Sequence, residues 1–423
     1  MIKEILKKHK TAVEIFVLLH LIFLFIAIRS LHFSKSFNFS TEQAAFSIKA
    51  LELWREKKME LIGPPISWRY EGRYFFQGSS TYYMIMFFML FGKWDPLIST
   101  YIFVLFSALM VIPLYFGVKM LVNKKVAFCM CALFALFPLF IDYSRFFWNP
   151  NFQFTLTPQL ILCMGLYKKY RLKRYLFLIS FLSGFLLLFH YQFMVVITGL
   201  IIYYVFLSVI PAKAGIHSKL IFFLGFPLGF FPMILFELRN KFYNINTLIL
   251  FFQHSDVVFK NKLTTAPVAY YFLSILLFVF LILFYLIRKK INVSFVICLF
   301  VILLGVSLFR YIPIPKEAFG MAKNWNYLEE KKVNGIIRKE NLKNYNIVNL
   351  GYDTLATAQK YLLKRDNIDM SYEDYYHNKY LFVITYPQDY MKNPAYEINT
   401  FTPSKKIKQW KINERYTMYL LQR

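Results

Sequence analysis

Long apolar runs alternate along this chain with short loops rich in lysine and arginine. Runs of spanning or near-spanning length fall at about 11–29, 97–121, 126–143, 151–167, 174–189, 193–210, 218–236, 266–287 and 291–310. A membrane-crossing helix needs roughly 20 such residues, so the pattern predicts a mainly α, polytopic membrane helix bundle of about nine spans. Beyond Tyr311 the runs give way to short periodic elements: a helix over 324–339, a strand over 345–350, a helix over 354–364, a strong strand over 380–386 and a last strand over 416–421. These predict a small C-terminal α/β extramembrane domain over 316–423, after a transmembrane domain over 1–315.

Orientation follows from the basic residues. Lys3 to Lys10, Lys124-Lys125, the 168–174 cluster, Lys213 to Lys219 and 288–290 should all face the cytoplasm. A further apolar stretch, Thr81–Gly92, would move every later basic loop outside if it crossed, so it is expected to lie in or on the membrane without crossing. The polar chemistry then gathers on the outer face, in residues 30–96, the turn after Asp142, His190-Tyr191-Gln192, the loop from Glu237 to Pro267, and the C-terminal domain. The expected location is the cytoplasmic (plasma) membrane, multi-pass, with the C-terminal domain extracytoplasmic.

Composition agrees with the pattern. The chain is 58% hydrophobic, and its net charge is +27, from 50 Lys+Arg against 23 Asp+Glu. Soluble domains sit near 45–50% apolar. The basic residues flank apolar runs rather than lining a groove, which argues against a nucleic-acid partner. The four cysteines, Cys129, Cys131, Cys163 and Cys298, lie inside apolar runs with no zinc or disulfide spacing.

Four outer stretches carry candidate chemistry. Phe37–Phe46 follows the first run and holds one carboxylate, Glu42, which also reads as a first-turn acid behind an Ser40 N-cap. An amphipathic helix over 44–58 follows, ended by Gly63-Pro64-Pro65, and then an aromatic and basic loop from Trp68 to Gly78. The second stretch, Asp142 to Asn151, offers Asp142 for a cation and Arg145 for a phosphate oxygen, or helix caps alone. His190-Tyr191 is the third. Glu237, Arg239 and His254 in the loop after 236 are the fourth; an interface anchor explains the first two equally well.

Taken together these stretches resemble the C-type integral-membrane glycosyltransferases, in the branch around family 39 that includes protein O-mannosyltransferases and the lipid A aminoarabinose transferase. The likeness rests on Phe37–Phe46, Ser144-Arg145, Trp148-Asn149-Pro150-Asn151, His190-Tyr191, and Phe236-Glu237-Leu238-Arg239 after Gly229-Phe230-Phe231-Pro232, over roughly residues 10–310. It implies a polyprenyl-phosphate sugar donor, transfer on the outer face, and Glu42 in the place of the family's first-loop base, usually an aspartate. The second loop's common aspartate is matched by Asn149 or Asn151, so a two-carboxylate metal site is not carried over; Asp142 remains the one position offered to a divalent cation.

On this reading the chain is an inverting glycosyltransferase. Glu42 takes the acceptor proton, while Arg145, Arg239, His190 and His254 receive the departing phosphate. Tyr191, Trp148, Asn149, Asn151 and Glu237 line the substrate, and the acceptor is a glycan, a lipid or a protein hydroxyl. A single carboxylate opposite the leaving group implies inversion. Membrane lipids are the surrounding partners. The alternative is a multi-pass transporter or flippase of lipid-linked glycans, which would show charged or broken helices at mid-membrane.

Overall fold

A computed structural model describes residues 2–206, 215–260, 269–368, 374–386, 392–393 and 395–423. The described chain is about 65% helix with a small strand-containing part. Its elements begin with α1 (Ile2–Ser30), α2 (Phe33–Ser36), α3 (Thr41–Glu56), β1 (Ile62–Tyr70), β2 (Arg73–Gly78) and α4 (Ser80–Phe91). Then come α5 (Pro96–Leu109), α6 (Val111–Leu121), α7 (Lys124–Leu136), α8 (Pro138–Tyr143), α9 (Asn149–Tyr170), α10 (Lys173–Leu187) and α11 (Met194–Ile201). The next helices are α12 (Gly215–Gly229), α13 (Phe231–Arg239), α14 (Tyr243–Gln253), α15 (Ser255–Lys260), α16 (Leu273–Leu286) and α17 (Val293–Tyr311). The chain ends with α18 (Tyr327–Glu340), β3 (Tyr345–Asn349), α19 (Thr357–Arg365), β4 (Tyr380–Thr385), α20 (Tyr396–Asn399), β5 (Lys405–Lys411) and β6 (Thr417–Gln422).

Among the described residues, three helical stretches are long and apolar enough to cross a membrane: Ala12–Ser30, Pro96–Leu121 and Val293–Tyr311. A fourth is added if the pair Leu220–Gly229 and Phe231–Arg239, bent by 70°, counts as one. The expected figure of about nine spans is not supported. Proline and polar residues interrupt the other runs. Pro138 splits α7 from α8, and α9 carries Pro158 within it and Asn149, Asn151, Gln153, Thr155 and Thr157 in its first half.

The chain divides into two compact units. The first comprises Met1–Leu31, Met59–Met84 and Tyr101–Ile312. The second comprises His32–Lys58, Ile85–Thr100 and Pro313–Arg423. The last change of unit, between Ile312 and Pro313, lies beside the boundary expected at 315. Part of the first outer loop belongs to the second unit.

In the first unit, side-chain bonds mark two ends. Near the start of Ala12–Ser30, the apolar part of α1, Glu14 binds Tyr115, Lys119 and Lys124, on α6 and at the start of α7. At the other end, Ser30 Oγ lies 3.0 Å from Tyr101 Oη, and Arg29 donates to Ala135 O at 2.7 Å and Phe140 O at 3.2 Å. The chain thus leaves α1 at Ser30 and rejoins the bundle at Tyr101 on the same end. Lys168 of α9 then binds Leu121 O at the Glu14 end, and Ser307 of α17 binds Leu136 O at the Arg29 end. Close backbone approach joins α10 and α12, where a Cβ on Gly229 would lie 2.0 Å from Phe181 O.

Residues 62–78, expected as a loop after a Gly-Pro-Pro stop, form the antiparallel hairpin β1–β2. Glu71 (φ 46°) and Gly72 (φ 73°) make its two-residue turn, both left-handed as a type I′ turn demands. Pro64 and Pro65 sit near the start of β1, where a two-stranded ribbon tolerates them.

The second unit contains a four-stranded sheet in the order β3-β4-β6-β5, with β3 and β4 parallel and the rest antiparallel. Asn326 caps α18 in a reciprocal box with Glu329. Trp325, Val333, Ile337, Ile347, Phe382 and Leu420 form part of its main core. The helix α3 packs here too. Phe37 and Phe39 meet the Tyr327 ring edge-on at 5.1 and 5.8 Å, and Lys364 pairs with Glu52 at 2.5 Å. Arg55 donates to the carbonyls of Lys364 and Arg365 at 2.9 and 3.1 Å, at the C-terminus of α19. These contacts explain why residues 32–58 fold with the C-terminal region.

Candidate functional site

The Arg29 end of the first unit collects most of the residues the sequence singled out. Its frame is a break in a helix. Pro138 has no N–H, so Phe134 O lacks its i+4 donor; Arg29 Nη2 donates to it at 3.3 Å. Arg29 is 0% exposed, also binds Ser144 Oγ, and stacks its guanidinium 3.4 Å from the Phe25 ring centroid. Ser144 and Arg145 follow α8. Arg145 is 4% exposed, donates from Nη2 to Ile28 O at 2.6 Å, and lies 4.7 Å over the Tyr311 ring. It is built into the wall rather than extended toward solvent.

Asp142 accepts from Tyr311 Oη at 2.7 Å and from Arg310 at 2.6 Å. Arg310 on α17 is half-exposed, so it is the more accessible cation of the group. Among the described residues no group of three His, Cys, Asp or Glu side chains could hold a metal. Asp142 is thus engaged by Arg310 and Tyr311 of α17.

The other predicted residues line the same end. Trp148 packs on Tyr270 at 4.0 Å. Asn149, buried, donates to Gln77 Oε1 on β2, and Asn151 donates to Phe146 O at 3.0 Å. Tyr191 Oη donates to Phe76 O at 2.6 Å, and Asn244 exchanges bonds of 3.0 Å with the amide and carbonyl of Phe76. The hairpin is thereby tied to α14 and to the turn before α11. Gly78 N adds a bond of 2.9 Å to Leu188 O.

His190 Nδ1 accepts the Gln192 amide at 3.4 Å, which leaves the ring proton on Nε2. Burial lowers its pKa to about 4, so at neutral pH it is an uncharged donor. A neutral imidazole can still donate that proton to a phosphate oxygen. Glu237, buried, accepts the amides of Asn244 and Ile245 at 3.2 and 3.3 Å and so caps α14. His254 stacks on Tyr70 at 4.5 Å and 11°, joining the hairpin, and Arg239 is exposed in the last turn of α13.

Three amide oxygens at this end have no hydrogen-bond donor among the described residues: Asn149 Oδ1, Asn151 Oδ1 and Gln192 Oε1. Gln153, fully buried, spans the floor, donating to Leu186 O and His190 O at 2.9 and 2.8 Å. Sequence reading did not single out Arg29, Gln77, Gln153 or Arg310. The signal for each was a polar side chain at the edge of an apolar run.

Glu42 lies in the second unit, exposed in the first turn of α3. Ser40, its neighbour, has an extended backbone and turns its hydroxyl to Gln43 Oε1 at 2.6 Å instead of capping a backbone amide. Compared with known proteins, the chain matches no family, no curated protein and no solved structure.

Proposed function

We propose that the chain is an inverting glycosyltransferase of the cytoplasmic membrane, moving a sugar from a polyprenyl-phosphate donor to an outer-face acceptor. The observation that carries the reading is the set of buried amide oxygens without donors at the Arg29 end. Sugar hydroxyls supply such donors, and a buried acceptor left unmade is costly. Arg310 and Arg239 are the accessible cations for a phosphate, with Arg145 and His190 shaping the wall. The resemblance implies Glu42 as the proton acceptor. The shorter apolar helices cross as broken or tilted passes, a reading supported by the end-to-end bonds from Lys168 and Ser307.

The test is a comparison of envelope glycans from cells lacking the gene, complemented by wild type, Glu42→Gln or Arg310→Ala. Wild type restores a missing glycan, Glu42→Gln restores none, and Arg310→Ala restores it partly. Identical profiles with and without the gene would falsify the transferase reading.

The 70° break between α12 and α13 favours a second reading, a flippase of lipid-linked glycans. Proteoliposomes that move a fluorescent lipid-linked glycan between leaflets without forming product would favour it.

A further inference from the structure

The second unit holds a site of its own. β3 and β4 lie parallel and adjacent, and the chain leaves β3 through Asn349–Asp353 into α19 before entering β4. Both strands present their carboxyl ends at the same edge of the sheet. At this edge Asn349 and Gln359 are both 0% exposed. Yet Asn349 Nδ2, Gln359 Oε1 and Arg415 Nε have no hydrogen-bond partner among the described residues. In native structures such groups are matched by protein, ordered water or a ligand.

An aromatic wall adjoins these groups. Tyr416 packs 4.9 Å from Tyr386, with the two hydroxyls 3.3 Å apart, and 4.7 Å from Trp325. Arg415 lies 4.4 Å over the Tyr386 ring. A Cβ on Gly351 would stand 2.6 Å from the Tyr416 ring and 3.0 Å from Asn349 Oδ1, so ring and amide are contiguous there. Behind them Glu330 accepts the Trp325 indole at 2.6 Å, the Tyr352 hydroxyl and the Gln359 amide. Asp353 Oδ2 already takes the Thr357 amide at 2.8 Å, so the N-terminus of α19 does not call for an anion.

We propose that this edge, between Asn349, Gln359, Tyr386 and Arg415, is a saccharide-binding site for a neutral hexose or N-acetylhexosamine ring. A sugar hydroxyl donates and accepts at once, so neighbouring hydroxyls can serve the amide N–H, the guanidinium N–H and the amide oxygen. The C–H face of the ring packs on tyrosine. A phosphate or carboxylate would serve only the two donors and would approach Asp353. The proposal does not rest on the transferase reading, since a non-catalytic binding module would use the site equally.

The full chain in nanodiscs is tested by saturation-transfer NMR against the methyl glycosides of glucose, galactose, mannose and N-acetylglucosamine. At least one glycoside should show transfer, and Tyr386→Ala and Arg415→Ala should each reduce it several-fold with the thermal unfolding midpoint kept. Both side chains are only part-buried, so they carry the test even where Asn349→Ala fails to fold. No transfer from any of the four, or transfer equal in wild type and Tyr386→Ala, overturns the proposal. Unchanged cellular glycans with Tyr386-dependent binding would remove the transferase reading and leave this one standing.

Discussion

Arg29 gives Phe134 the hydrogen bond that Pro138 cannot, across 3.3 Å and from a different helix. One guanidinium thus closes a break in the α7–α8 rod and fixes where the Ser144-Arg145 turn begins. A cation buried at the end of an apolar helix is tolerated because its donors are matched by carbonyls released at the kink.

Arg29→Ala should therefore destabilise the bundle, at roughly 1–3 kcal/mol for each carbonyl left stranded. Arg29→Lys should recover part of the loss, since an ammonium reaches fewer acceptors than the guanidinium fork. Unfolding of the purified chain in detergent measures both. Wild-type stability in Arg29→Ala would show that the kink needs no donor.

The two ends of the first unit should face opposite sides of the membrane. An impermeant maleimide should label Arg73→Cys, in the hairpin turn, in intact cells, and Lys125→Cys only after permeabilisation. The reverse labelling, or labelling of both in intact cells, would contradict the assignment.

Gly229 should not accept a side chain. Gly229→Val must push its branched carbon against Phe181 O, only 2.0 Å from the ideal Cβ position, and overpacking of this kind costs about 1–3 kcal/mol. Loss of α10–α12 packing should appear as faster proteolysis in detergent, compared with Gly305→Val, whose Cβ would meet nothing within 4 Å.

The second unit should weaken as pH rises. Burial pushes the Glu330 pKa up from 4.5 to about 8, against the lowering effect of Tyr352 and Trp325. A pKa raised in the folded state favours the protonated form there. The contribution is complete below 4.5 and is lost as pH rises through about 8, a change on the order of a few kcal/mol. Glu330→Gln should flatten the profile. Hydrogen exchange of residues 327–340 between pH 5 and 9 reads it, and a flat wild-type profile would refute it.

Much of this architecture is written in hydrophobic periodicity, and what escaped lies where another force overrides it. The boxed start of α18 at Asn326 and the apolar strands β3 and β4 are legible because local signals and burial agree. β5 is not. Lys405, Lys406, Lys408 and Lys411 hide the alternation of an edge strand, where lysine discourages pairing with other chains. The hairpin hid behind Gly63-Pro64-Pro65, which marks a stop in a helix but is tolerated near a ribbon's start. For the candidate site, residue type picked out Asn149, Asn151, His190 and Tyr191, but not the partners that define their roles. The cap that Glu237 provides shows only once its two amide donors are seen, and Arg29 reads as a flank until Pro138 is set beside it.

The second unit is assembled from both extremities of the chain. Asn38 donates to Phe319 O, 281 residues further on, at 2.8 Å. A ribosome delivers Phe37 and Phe39 long before Tyr327, so these rings must remain without their final neighbours through most of synthesis. Completion of that unit is therefore a late, slow event governed by sequence distance, and a chain cut short before residue 319 would leave its first aromatic residues open to chaperones and proteases.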